Sequence, residues 1–212
     1  WNGDLEATAT LLARVHRIPI DAFAMKAFRQ LPADAPKLLT HAEEMLQCHD
    51  SGLSDSVREW RPEVPAQTVR PICKGVLVHT DCGPGNMVSS PDGLRLIDWQ
   101  CPGIGDGLQD VVTFLSPAMQ VLYGYPVLTD GQEQQFLKAY VSALDEPLSD
   151  ARETQARLNS VRSSHHYRFA AYCAMRVQDT AASDERTSRL YRVALQAEIE
   201  LLRRLSPQGK SP

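Results

Sequence analysis

The sequence predicts a mainly helical α+β domain with one small β-hairpin embedded in its middle. Three observations predict it. Apolar residues recur at helical spacing on both sides of the centre. The run Gly75-Val76-Leu77-Val78 reads as a short buried strand. Residues 87–90 and 94–97 flank Pro91-Asp92-Gly93, a tight-turn sequence that makes the pair a hairpin.

The elements follow in order. Leu5, Thr8, Leu12 and Val15 share one helical face, Asp4 can cap the start, and Pro19 lies beyond the end. A second helix is expected over 21–29, stopping before Pro32. A third is expected over 35–48, with Leu38, Leu39, Ala42 and Met45 on one side. Residues 51–69, rich in Ser, Pro, Arg and Asp, read as a loop with one short helix around Val57 and Trp60. After the hairpin come several glycines and a helix over 108–115. Helices are then expected over 132–144, 150–177 and 185–205. The last carries Leu190, Val193, Ala197, Leu201 and Arg204 at roughly helical intervals.

Bulk properties bound the function. A chain of 212 residues, 43% hydrophobic and 23% charged, is an ordinary globular sequence that can bury a real core. A net charge of −4 without a basic run argues against nucleic acid or an anionic membrane as partner. Its apolar stretches fall short of a membrane span. Cys48, Cys73, Cys82, Cys101 and Cys173 are odd in number and scattered, without zinc spacing, which suits reduced thiols in a cytoplasmic protein.

One stretch carries chemistry: His79-Thr80-Asp81-Cys82-Gly83-Pro84-Gly85-Asn86, then the hairpin, then Ile97-Asp98-Trp99. It offers an aspartate at the end of a buried strand, an Asn five residues on, and a second aspartate at the far end of the hairpin. Three side-chain oxygens can so meet at one end of that hairpin. Phosphoryl transfer needs such a set: a carboxylate to orient the attacking hydroxyl, and oxygens to hold a phosphate-bound Mg²⁺. Asp81 suits the first role, Asn86 and Asp98 the second.

These residues resemble the aminoglycoside phosphotransferase and choline kinase family, relatives of the protein kinases. The His-x-Asp-x4-Asn loop has the Asp-to-Asn step of five found in the kinase catalytic loop. Leu11-Leu12-Ala13-Arg14-Val15-His16 looks like the family's Leu-Ala-x-Leu-His helix. Gly105-Asp106 with Asp110 looks like its Gly-Asp-Pro-x-x-Asp-Leu segment, so the match runs over roughly residues 11–115. The resemblance implies a protein-kinase-like C-terminal lobe. In it Asp81 is the catalytic base, Asn86 and Asp98 hold magnesium and with it the nucleotide, and His79, Asp106 and Asp110 support the loops. It implies ATP, with GTP as the alternative donor, and a small-molecule hydroxyl substrate such as an aminoglycoside, a choline-like amino alcohol or a sugar. Cys82 and Gly83 depart from the family's usual Leu and His or Asn, Gln100 from an acidic residue, and Gly107 from a proline.

The family's smaller β-rich lobe, with its nucleotide-gripping lysine, has no counterpart here. Lys26, Lys37, Lys74, Lys138 and Lys210 are the only lysines, and none sits in a Val-Ala-Ile-Lys strand. Residues 1–212 are therefore expected to form the large lobe alone, binding ATP weakly and turning over negligibly by themselves. Candidate acceptor-site residues are Glu43, Glu44, Asp50, Asp55 and Trp60, with His165, His166, Tyr167 and Tyr172 from the late helices. Cys82, beside a carboxylate, is expected to be an inert thiol. The alternative is a non-catalytic kinase-like binding or regulatory protein, against which the intact Asp81, Asn86 and Asp98 argue. A metal-dependent hydrolase built on His79 and Asp81 lacks the second cluster that a two-metal site requires.

Overall fold

The computed structural model describes residues 1–31, 34–48, 52–64, 75–144 and 151–206. Asp50, Cys73, Lys74 and Lys210 lie outside the described residues, as does the expected helix start at residue 150. The chain divides into two compact units, one of residues 1–33, 69–115 and 128–159, the other of 34–68, 116–127 and 160–212.

The first unit begins with α1 (Leu5–His16), whose Asp4 side chain accepts from the Ala7 N–H. Its apolar face, with Leu5, Leu12, Ala13 and Val15 buried, packs on α7 (Asp130–Leu144). Phe114 of α5 (Leu108–Leu115) stacks on Phe136 of α7 at 4.9 Å. The expected second helix is shorter than its sequence suggests. It forms α2 (Ala22–Ala27), after which Arg29–Gln30 extends as strand β1.

That strand joins a sheet the sequence did not announce. Its order is β1-β5-β2, with β5 (Gly103–Gly105) parallel to β1 and antiparallel to β2 (Val76–Val78). Glycines at 103 and 105 signal a loop, yet here they allow close packing. A Cβ at Gly103 would lie 2.7 Å from the Leu31 side chain, and one at Gly105 would lie 2.6 Å from Gln109. The expected hairpin is present as β3 (Met87–Ser90) and β4 (Gly93–Leu96), paired Met87 to Leu96 and Ser90 to Gly93. Gly93, at φ 111°, makes the turn that a side chain would strain.

The second unit is helical: α3 (Ala35–Gln47), α4 (Gly52–Arg58), α6 (Pro117–Leu122), the later part of α8 (Ala151–Thr180), and α9 (Glu185–Leu205). Its core is Leu39, Ala42, Leu46, Val57, Tyr167, Ala174, Leu195 and Leu202. The α6 helix is unexpected from periodicity, being short. It is started by Ser116, which accepts from Met119, and by Pro117 in its first turn. On α9 the buried side is Ala194, Leu195, Glu198, Ile199, Leu201 and Leu202, while Leu190 and Val193 are exposed. The buried side therefore includes a carboxylate, which no hydrophobic pattern reveals.

Glu198 is fully buried, and both of its carboxylate oxygens accept hydrogen bonds. Oε1 accepts from the Ser116 hydroxyl and from the Ala118 N–H at 3.1 Å; Oε2 takes the His166 Nδ1–H at 2.8 Å. Among the described residues, no helix is long and apolar enough to cross a membrane. Cys48, Cys82, Cys101 and Cys173 are free thiols.

Two outcomes follow from these buried groups. Glu198→Ala should lower unfolding free energy in urea by about 3–5 kcal/mol, because His166 and Ser116 lose their buried partner. Glu198→Gln, which still accepts from Ser116 and Ala118, should lose less. The second outcome concerns pH. Burial, then the charges of Arg168 and His166, lower the His165 pKa from 6.5 to about 3. The folded chain thus keeps His165 neutral where the unfolded chain protonates it. Between those two values the unfolded state binds more protons, so stability falls as pH is lowered. His165→Gln should flatten the slope of unfolding free energy between pH 6 and pH 4 by up to about 1.4 kcal/mol per pH unit. Identical slopes would exclude His165 as their source.

Candidate active site

The site grows from the end of β2. Pairing with β5 sets Val78 opposite Gly103, and the chain then turns sharply at Thr80, whose φ is 74°. This left-handed conformation is strained for a β-branched residue. It takes the His79 and Thr80 amides out of any strand ladder, and both donate to one carboxylate. His79 N donates to Asp110 Oδ2 at 2.8 Å, and Thr80 N donates to Oδ1 at 2.9 Å. Asp110 is wholly buried on α5, and His16 Nε2 of α1 lies 3.2 Å from Oδ2. Since the carboxylate only accepts, His16 Nε2 carries the hydrogen. His16 Nδ1 meets the Tyr140 hydroxyl at 2.8 Å. Gly107 lies against this pair. A Cβ there would approach His16 Nδ1 to 2.7 Å and the Tyr140 oxygen to 2.9 Å, so this packing needs a glycine.

His79 links the loop to the hairpin. Its Nδ1 accepts the Asp81 N–H at 3.2 Å, so Nε2 carries the hydrogen and donates to the Ile97 carbonyl at 2.9 Å. Trp99 meets the ring edge-on at 4.5 Å between centroids and donates its own Nε1–H to the Leu96 carbonyl at 3.0 Å. Cys82 is buried and donates to the Asp110 carbonyl at 3.0 Å. Burial and the neighbouring Asp110 push its thiol pKa well above the ordinary value.

Asp81 and Asn86 meet. Asn86 Nδ2 donates to the Asp81 carbonyl at 2.7 Å and to Asp81 Oδ2 at 3.0 Å, across a 3₁₀ turn spanning Pro84–Asn86. The Asn86 carbonyl in turn accepts the Ile97 N–H at 2.9 Å. Asp98 follows directly, exposed, at φ 62°, its carbonyl closing a tight turn with Gln100 N at 2.9 Å. Asp106 stands apart at the start of α5. It accepts the Leu108 N–H at 3.1 Å and forms a buried ion pair with Arg157.

Arg157 and Tyr140 carry no sequence signal, since their partners lie in distant segments. His16 had one, as the last residue of the Leu11-to-His16 segment. Several residues proposed for an acceptor site are engaged within the second unit. Glu43 pairs with Arg58 at 3.4 Å and Arg61 at 3.3 Å, and accepts the Tyr167 hydroxyl at 2.7 Å. Asp55 pairs with Arg58 at 3.1 Å, and the Arg203 guanidinium lies 5.2 Å from the Trp60 ring. His165, His166 and Tyr167 are buried, and Tyr172 meets Tyr191 at 6.0 Å. Glu44 is exposed. Among the described residues, no three His, Cys, Asp or Glu side chains gather as a metal cage.

The chain is similar to several solved structures. One is an aminoglycoside phosphotransferase homologue from Ralstonia eutropha, with a TM-score of 0.67 and 13% identity, covering 94% of this chain and 64% of that one. A spectinomycin phosphotransferase bound to ADP and spectinomycin gives 0.57 and 15%, over 95% and 64%. A choline/ethanolamine kinase family protein from Mesorhizobium loti gives 0.59 and 14%, over 98% and 63%. The chain thus spans just under two thirds of the length of these structures, and at such identities the likeness is one of fold: a kinase-like phosphotransferase fold. No curated protein gives a significant match. Residues 3–150, most of the chain, match the sequence profile of the phosphotransferase enzyme family, and with the fold described above the chain belongs to that family.

Proposed function

We propose that this chain supplies the catalytic lobe of an ATP-dependent phosphotransferase that moves the γ-phosphoryl group onto a hydroxyl of a small molecule. The observation that carries this reading is the Asn86 amide, which holds Asp81 through both its carbonyl and its carboxylate while its own backbone is tied to the residue before Asp98. Asp81, half-buried at the end of a braced loop, is the group that orients the acceptor hydroxyl and takes its proton. The hydroxyl oxygen forms the new bond to the γ-phosphorus, the bond to the β,γ-bridging oxygen breaks, and ADP leaves with that electron pair.

The donor set fits magnesium. Asp98 offers an exposed carboxylate, and since Asn86 Nδ2 donates to Asp81, Oδ1 is the atom through which the Asn86 amide would hold the ion. Both are hard oxygens, and a nucleotide-borne Mg²⁺ needs only one or two from the protein. When bound, the ion neutralises charge on the phosphate oxygens. His79 holds the backbone between these residues through the Asp81 N–H and Ile97 carbonyl contacts, and Asp110 anchors the loop from below. Asp106, paired with Arg157, braces the start of α5.

The similar structures are named for spectinomycin and for choline or ethanolamine, which directs the acceptor search to amino alcohols and aminocyclitols. ADP release by the complete polypeptide, across aminoglycosides, choline, ethanolamine, homoserine, thiamine and simple sugars, tests the reading.

With an acceptor in hand, Asp81→Ala should lower kcat by about 10²–10⁴-fold while leaving the KM for Mg-ATP nearly unchanged. A mutant with near-normal rate would remove Asp81 from the role of base. Asp98→Asn should raise the Mg²⁺ concentration for half-maximal rate about ten- to a hundredfold, the worth of one charged contact of about 1.5–3 kcal/mol. An unaltered Mg²⁺ titration would place the ion elsewhere.

A further inference from the structure

Arg29 belongs to none of the motifs above, yet it reaches both loops of the candidate site. It opens β1, and its pairing opposite Gly103 brings its side chain to Cys101. Its Nη2 donates to the Cys101 carbonyl at 2.7 Å and lies 3.4 Å from the Thr80 hydroxyl. That hydroxyl donates to the same carbonyl at 2.9 Å. One carbonyl thus takes two hydrogen bonds, its full capacity, from two different segments.

The positions give this contact its meaning. Thr80 immediately precedes Asp81, and Cys101 lies three residues after Asp98. Thr80 and Asp98 are the non-glycine residues with positive φ among the described residues, at 74° and 62°. Such conformations are costly and persist only where their surroundings hold them. From Asp98, the turn closed by Gln100 N leads the chain straight into the shared carbonyl. Both acceptors on Arg29 are neutral, so the contact works by geometry rather than by charge pairing.

We propose that Arg29 is a positioning residue, which with the Thr80 hydroxyl clamps the Cys101 carbonyl and so sets the loop bearing Asp81 against the loop bearing Asp98. The clamp stands on its own geometry; its effect on rate rests on the phosphotransferase reading. An arginine suits the task because its planar fork is preorganised, where a lysine would lose more freedom for one bond.

The test combines amide hydrogen exchange with steady-state kinetics on the complete polypeptide. In Arg29→Ala, exchange should quicken in both 79–86 and 97–101, with α1 and α7 unchanged. In the same variant kcat should fall about ten- to a hundredfold with KM for both substrates unchanged, the signature of misplaced rather than lost groups. Thr80→Val should reproduce this, Thr80→Ser should not, and Arg29→Lys should fall between. The Arg29→Ala/Thr80→Val pair should be little worse than either single change, since both act on one carbonyl. Where Arg29→Ala does not fold, Arg29→Lys and Thr80→Val carry the test. Exchange that quickens in one loop only, or in neither, overturns the clamp. Coupled exchange with an unaltered kcat overturns its role in the reaction. If the wild type phosphorylates no acceptor, the functional reading fails, and the exchange measurement alone still decides the clamp.

Discussion

The carboxylate of Asp110 accepts two consecutive backbone amides, those of His79 and Thr80, and the geometry of the candidate site depends on that pairing. A strand that ends at Val78 and is followed by a left-handed threonine leaves the next amides with no ladder partner. Buried amides without acceptors are costly, and so is a buried carboxylate without donors. Here each resolves the other, and His16 supplies a third contact from α1. The anchor is itself held, because Asp110 lies in the first turn of α5, a helix whose Phe114 stacks on Phe136 of α7.

From this anchor the loop is braced residue by residue. Cys82 returns to the Asp110 backbone, His79 spans from the Asp81 amide to the hairpin end, and Asn86 closes on Asp81. Asp81 is the member left half-exposed, as its proposed role toward an external hydroxyl would require. The bracing is mostly by neutral hydrogen bonds of fixed tautomer and direction. Such contacts preorganise the loop without adding charge beyond the carboxylates of Asp110 and Asp81.

The second unit repeats the device with different parts. Glu198, buried on α9, collects the Ser116 hydroxyl, the Ala118 amide and the His166 ring, and thereby joins the start of α6 to α8 and α9. In both units a buried acid does what an apolar contact cannot, since it specifies which backbone amides and which ring must face it. Glu43 does similar work nearer the surface, with Arg58, Arg61 and Tyr167. It therefore reads as part of the scaffold and less as a substrate contact.

Periodicity and turn chemistry by themselves determined the long helices, strand β2 and the hairpin, because those signals are local and need no partner. The five-residue step from Asp81 to Asn86 is equally local, as one 3₁₀ turn closes it. The tertiary structure alone decided β1 and β5, whose two or three residues, glycines among them, become strands only by pairing: β1 with β5 across about seventy positions, and β5 with β2 as well. It also decided what each buried acid is for. Asp110 and His79 are 31 residues apart, Asp110 and His16 94, and no spacing rule predicts which distant donors a carboxylate will meet. Short-range order is encoded by the residues that form it. Long-range pairing is set by the packing that brings chain segments together, so that buried acids such as Asp110 and Glu198 meet donors from distant segments.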